Sequence, residues 1–137
     1  MTKIPKILKL LFFNQIWNLP NAENTVYLTF DDGPTPEITE KVLEILEKHQ
    51  IKATFFCIGD NVRKYPEIVQ KIISKHHSVG NHTYSHLKGW KTPTKTYISN
   101  TEACEIKLNS LFKIHNSKLF RPPYGKITPW QSYKLRK

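Results

Sequence analysis

From Thr25 onward, short β-branched and aromatic runs alternate with amphipathic stretches of helical period, and this alternation restricts the fold most. "TVYLTF" (25–30) reads as a buried strand. Thr35 is placed to cap a helix whose first turn holds Pro36 and Glu37 and whose stripe is Ile38, Val42, Ile45 and Leu46, ending near His49. "ATFFCI" (53–58) is a second strand, Pro66 opens a helix carrying Ile68, Val69, Ile72 and Ile73, and Ser78–Gly80 is a third strand. A longer helix is expected from about Thr96 to His115 with Ile98, Leu108, Leu111 and Phe112, then a brief fourth strand, "KLF" (118–120). Strands separated by helices form parallel βαβ units, so the fold class is α/β, with parallel strands and outer helices. Four strands do not close a barrel, which needs roughly eight. The pattern therefore allows an open sheet or part of a larger domain, and Thr128-Pro129 begins a further helix close to the last residue.

In such folds functional groups collect where strands end and loops begin. Three polar motifs take that place: Asp31-Asp32 after the first strand, His82 and His86 after the third, and Arg121 to Gly125 after the fourth. Taken singly each has an ordinary reading. "DDGP" is a common turn, a His pair four apart is often solvated, and "RPPYG" is a stiff loop. Their shared position gives them weight, because three loops at one rim can converge. Imidazole and carboxylate suit a borderline cation such as zinc, and two His with one Asp leave a coordination position open. A cation also offsets the repulsion within the Asp doublet, letting one carboxylate ligate while its neighbour acts as a base. His49, His76, His77 and His115 fall near helix ends, where terminal carbonyls or water are their expected partners.

Charge and cysteine content close off other classes. The chain has 137 residues, 21 basic and 11 acidic, for a formal charge of +10. The lysines are scattered, which fits a solvated face better than a nucleic-acid stripe, and no nucleic-acid partner is expected. Two cysteines make neither a disulfide scaffold nor a thiolate metal site, and Cys57 inside "ATFFCI" reads as a core residue. In "MTKIPKILKLLFFNQIWNLP", Lys9 interrupts the apolar run and no small-residue cleavage site follows. We expect residues 1–24 to be an amphipathic arm packed on the domain, without a membrane span.

"TFDDGP", "HTYSH" and "RPPYG", in that order between about Thr25 and Gly125, resemble the NodB-type polysaccharide deacetylases, carbohydrate esterase family 4. The resemblance implies a distorted (β/α) barrel of the glycoside hydrolase/deacetylase type. It implies removal of acetyl groups, usually from N-acetylglucosamine in chitin, chitooligosaccharides or peptidoglycan, and in some members from O-acetylated xylan. Carried onto these positions, Asp31 is the catalytic base and Asp32, His82 and His86 are the metal ligands, with zinc first and cobalt second. Arg121 orients Asp31, the Tyr124 N–H lines the oxyanion site, Thr83 and Ser85 lie within the second motif, and Pro122, Pro123 and Gly125 shape the groove wall. The family's Asp/Trp motif and its later Leu-x-His motif, which supplies the general acid, have no counterpart here. Residues 25–137 are therefore expected to be the N-terminal part of such a domain, binding metal weakly and deacetylating poorly. The alternative is an impaired glycan-binding module. The implied partner is an acetylated glycan. The first residues point to the cytoplasm, while a cell-wall substrate points to the envelope.

Overall fold

A computed structural model of the chain describes residues 6–13, 15–17, 25–112 and 119–136. The helices are α1 (Lys6–Leu11), α2 (Ile38–Lys48), α3 (Gly59–Lys64), α4 (Pro66–Ser74), α5 (Thr94–Phe112) and α6 (Pro129–Leu135). The strands are β1 (Leu28–Gly33), β2 (Ala53–Cys57) and β3 (Ser78–Asn81), parallel throughout in the order β1-β2-β3. An isolated parallel bridge from Asn81 to Phe120 extends this order by one position. Parallel strands connected through helices form an arc of the expected (β/α) type. Phe120 belongs to the fourth strand expected at 118–120, whereas Lys118 and His115 lie outside the described residues.

The core is built where helix stripes meet β2 and β3. Leu43, Leu46, Phe55, Cys57, Val69, Ile72, Val79, Cys104 and Leu108 form one buried cluster. Burial raises the pKa of both Cys57 and Cys104 thiols, the latter to about 12, so they behave as small apolar residues. The stripe of α2 is rotated from expectation: Thr39, Leu43 and Leu46 are buried, while Ile38 and Ile45 are exposed. Thr35 does not cap this helix. Its N–H instead donates to the Thr39 hydroxyl oxygen at 2.8 Å, and Glu37 is the residue before the first turn. In α5 the buried line is Tyr97, Thr101, Cys104 and Leu108, with Leu111 exposed.

Two further expectations are corrected. β1 starts at Leu28, three residues later than expected, and runs on through the Asp doublet to Gly33. It is also an edge strand, with Val26 and Tyr27 exposed, because it has a neighbour on one side only among the described residues. Among the described residues of the N-terminal arm, Ile7, Leu10, Phe13 and Ile16 are exposed. A helix of six residues spans less than two turns and lays down no long stripe. The arm reaches the domain through the Gln15 amide, which donates to Ser132 Oγ at 3.4 Å.

His77 is buried, contrary to its expected place at a solvated helix end. The Ala53 N–H donates to its Nδ1 at 3.2 Å, and its ring meets Phe55 edge-on. Burial lowers its pKa below the usual histidine value, helped by Lys52 and Lys75 and opposed by Glu47. The folded state therefore prefers the neutral ring. Its contribution is complete above the unfolded pKa of about 6.5 and is lost as pH falls through the lower folded value. The urea midpoint should drop between about pH 7.5 and pH 5.5, and His77→Gln should shallow that slope. A slope unchanged by the substitution would remove His77 as its source.

Candidate active site

The site begins with an irregularity in β1. Asp31 pairs with Phe56 and Gly33 with Cys57, so Asp32 is an extra residue, a bulge, with φ of 68°. Consecutive side chains of a regular strand point to opposite faces. The bulge re-aims the doublet so that both carboxylates reach one site. Asn61 of α3 fastens the bulge by donating its side-chain amide to the Asp32 carbonyl at 2.9 Å.

Asp31 faces Arg121, whose Nη1 donates to Asp31 Oδ1 and to Thr29 Oγ1, each at 2.8 Å. The guanidinium lies 4.1 Å from the centre of the Phe56 ring, giving it a flat apolar floor. Asp32 faces the imidazoles: its Oδ1 is 3.3 Å from His82 Nε2 and 3.0 Å from His86 Nε2. One donor atom from each of Asp32, His82 and His86 lies within 4.8 Å of the others.

The imidazoles are set by the backbone around them. The Arg121 N–H donates to the Asn81 carbonyl at 3.0 Å, and the Asn81 N–H donates to Leu119 O at 2.8 Å. The buried Asn81 amide donates to Thr101 O and accepts the Thr83 N–H, both at 2.8 Å. Asn100 Oδ1 accepts the Tyr84 and Ser85 N–H groups, and Thr83 Oγ1 accepts the Leu87 N–H. His82 Nδ1 is 2.7 Å from the Arg121 carbonyl. A carbonyl only accepts, so Nδ1 carries the proton and Nε2 presents its lone pair toward Asp32. Burial of His82 lowers its pKa, outweighing the Arg121 carbonyl and the two carboxylates, which act in the opposite sense. The His82 Nε2, the His86 Nε2 and the Asp32 carboxylate oxygen are three donor atoms around a common point, and the set fits a divalent cation.

Strain concentrates here as well. Asp32, Thr83, His86 and Tyr124 all have positive φ without being glycine. Such residues persist only where neighbours hold them, at a cost of about 1–3 kcal/mol each. Tyr124 sits in a tight turn, Pro123–Gly125, with its ring 4.7 Å from that of His86. Among the described residues nothing accepts a hydrogen bond from its N–H. All six residues singled out in the sequence (Asp31, Asp32, His82, His86, Arg121 and Tyr124) thus lie around one rim, at the C-terminal ends of the strands. Asn61, Asn81 and Asn100 lie outside the quoted motifs, and Thr29 opens "TFDDGP" without having been singled out.

Residues 18–135 match the family model described as polysaccharide deacetylase. The chain belongs to the polysaccharide deacetylase family. Among curated members, a peptidoglycan-N-acetylglucosamine deacetylase of Bacillus cereus is 44% identical over 108 residues, covering 79% of this chain and 39% of that protein. A chitooligosaccharide deacetylase of Azorhizobium caulinodans is 45% identical over 115 residues, covering 81% of this chain and 53% of that protein. The crystal structure of the Bc1960 peptidoglycan N-acetylglucosamine deacetylase superimposes with a TM-score of 0.77 at 42% identity, over 80% of this chain and 50% of that one. This family member therefore spans about two fifths to one half of the length of those relatives. Among its described residues no helix is long and apolar enough to cross a membrane.

Proposed function

We propose that the chain carries the metal-and-base half of a hydrolase that removes acetyl groups from N-acetylated amino-sugar glycans. The observation that carries this reading is the convergence of Asp32 with two imidazole Nε2 atoms beside an Arg-held second carboxylate. Residues 25–137 form the catalytic unit and 1–24 an arm outside it. Asp32, His82 and His86 hold a divalent cation, zinc by the softness of the donors and cobalt as its substitute. When bound, the cation supplies Lewis acidity for water activation and carbonyl polarisation.

The chain's own residues supply the rest. Asp31, fixed by Arg121 and with its second oxygen free of that bond, takes the proton as water attacks the acetyl carbon. The Tyr124 N–H donates to the oxyanion that forms, a contact of a type worth about 3–4 kcal/mol. Cleavage of the C–N bond gives acetate and the free amine, and the amine must gain a proton as it leaves. Among the described residues His49, His76 and His77 stand beyond α2 and α4, away from the site rim, so the triad histidines are the only imidazoles near the scissile bond.

This division of parts sets the test. The metal-loaded chain is assayed for acetate release from N-acetylglucosamine oligomers and from 4-nitrophenyl acetate, whose phenolate leaves without being protonated. Release from the ester that depends on metal, exceeding release from the amide, is expected. Metal-loaded chain inert toward both substrates would sink the reading.

Asn61→Ala gives a subtler check. Losing the clamp on the Asp32 carbonyl should weaken zinc affinity about 10-fold, at the lower end for partners one shell beyond a metal ligand. Competition with a chromogenic chelator measures it, and an unchanged affinity would mean that the bulge holds itself.

A further inference from the structure

The rim carries side chains that hydrolysis does not use. Tyr124 is 61% exposed, with its ring beside that of His86, and Trp90 is 63% exposed. Lys88 Nζ stands 5.7 Å from the centre of the Tyr124 ring, and Lys126 Nζ stands 5.2 Å from that of Trp90. The segments that carry Lys88 and Lys126 adjoin through the backbone, where the Gly89 N–H meets the Lys126 carbonyl. Among the described residues neither ammonium has a carboxylate partner. Two adjacent cations without a counterion are unfavourable until an anion joins them.

The frame beneath them is rigid. The Trp90 indole N–H donates to the Ile127 carbonyl at 3.0 Å, and the Gly89 N–H donates to the Lys126 carbonyl at 3.0 Å. Gln131 is buried and donates to both Gly89 O and Thr92 O, while its own oxygen accepts the Thr128 N–H. A Cβ on Gly89 would lie 2.5 Å from the Lys126 carbonyl oxygen, so only glycine permits this approach. Aromatic faces held in advance lose little freedom on binding.

We propose that Tyr124, Lys88, Lys126 and Trp90 form a glycan subsite adjoining the Asp32/His82/His86 cluster, selective for sugars that carry a carboxylate. The aromatic faces stack on pyranose rings, and the lysine pair takes a carboxylate borne on the glycan, as on the lactyl ether of an N-acetylated amino sugar. The proposal rests on the reading of this chain as acting on acetylated glycans.

Isothermal titration of the zinc-loaded chain compares three probes of equal length. They are an N-acetylglucosamine oligomer, a peptide-free strand in which alternate sugars bear lactyl carboxylates, and that strand with its carboxylates converted to methyl amides. The carboxylate strand should bind about tenfold tighter than the other two at low salt. The preference should fade at high salt and vanish in the Lys88→Ala/Lys126→Ala double variant. Trp90→Ala should weaken all three alike. Equal affinities in the unmodified chain, no binding of any probe, or a preference that survives the double substitution would each overturn the subsite. Acetate release judges the hydrolytic reading separately: its loss with the binding preference intact removes that reading alone.

Discussion

Asp31→Asn should lower metal-dependent hydrolysis of 4-nitrophenyl acetate by about 10²–10⁴-fold and leave zinc affinity within a few-fold of the unmodified chain. The split follows from the geometry. Asparagine has the same shape, and its oxygen still accepts from Arg121 Nη1, so the loop holding Thr29, residue 31 and Arg121 keeps its form. What the amide cannot do is take a proton from water. The ligand set is untouched, because the bulge turns Asp32 toward His82 and His86 and away from Arg121. Steady-state rates and a zinc titration on the same preparation separate the two roles. A full rate in Asp31→Asn would assign the base elsewhere. Zinc binding lost together with the rate would instead make Asp31 part of the ligand set.

The six residues of the site were legible in the sequence because each lies where a short apolar strand gives way to a loop, and because the three motifs in that order resemble one family. The bulge was not. Extending β1 to Gly33 depends on pairing with Phe56 and Cys57 of β2, and a propensity window stops at the first charged pair. Asn61, Asn81 and Asn100 were missed for a related reason. Each acts through hydrogen bonds to backbone remote in sequence, from Asp32 to Thr101, and such bonds leave no period or spacing. The short α3, "GDNVRK", has a single large apolar residue, Val62, and so no stripe to read. In α2 and α5 the period was visible but its phase was not. Isoleucines drew the expected stripe of α2 toward Ile38 and Ile45, whereas the surface presented by β2 and α4 accepts Thr39, Leu43 and Leu46. Sequence located the motifs that converge, then, while tertiary pairing decided how the doublet is aimed.

Removing a ligand should have the other large effect, and the three ligands should not respond alike. Asp32→Ala and His86→Ala should each weaken zinc binding by more than about 100-fold, beyond the range typical of supporting groups. Asp32 is exposed and His86 only half-buried, so neither loss opens the core, and both variants should unfold close to the metal-free parent. His82→Ala should lose zinc and stability together. That ring is buried, and its removal leaves a cavity and deprives the Arg121 carbonyl of its donor. Thermal unfolding with and without zinc distinguishes the cases. At a free-metal concentration about 100 times the dissociation constant, the parent should gain about 2.7 kcal/mol, and all three variants should lose that gain. The gain should also shrink on acidification, because both Nε2 atoms must be unprotonated to coordinate. A zinc-dependent shift that survives Asp32→Ala and His86→Ala would place the metal on other residues, and the division of labour within the doublet would fall with it.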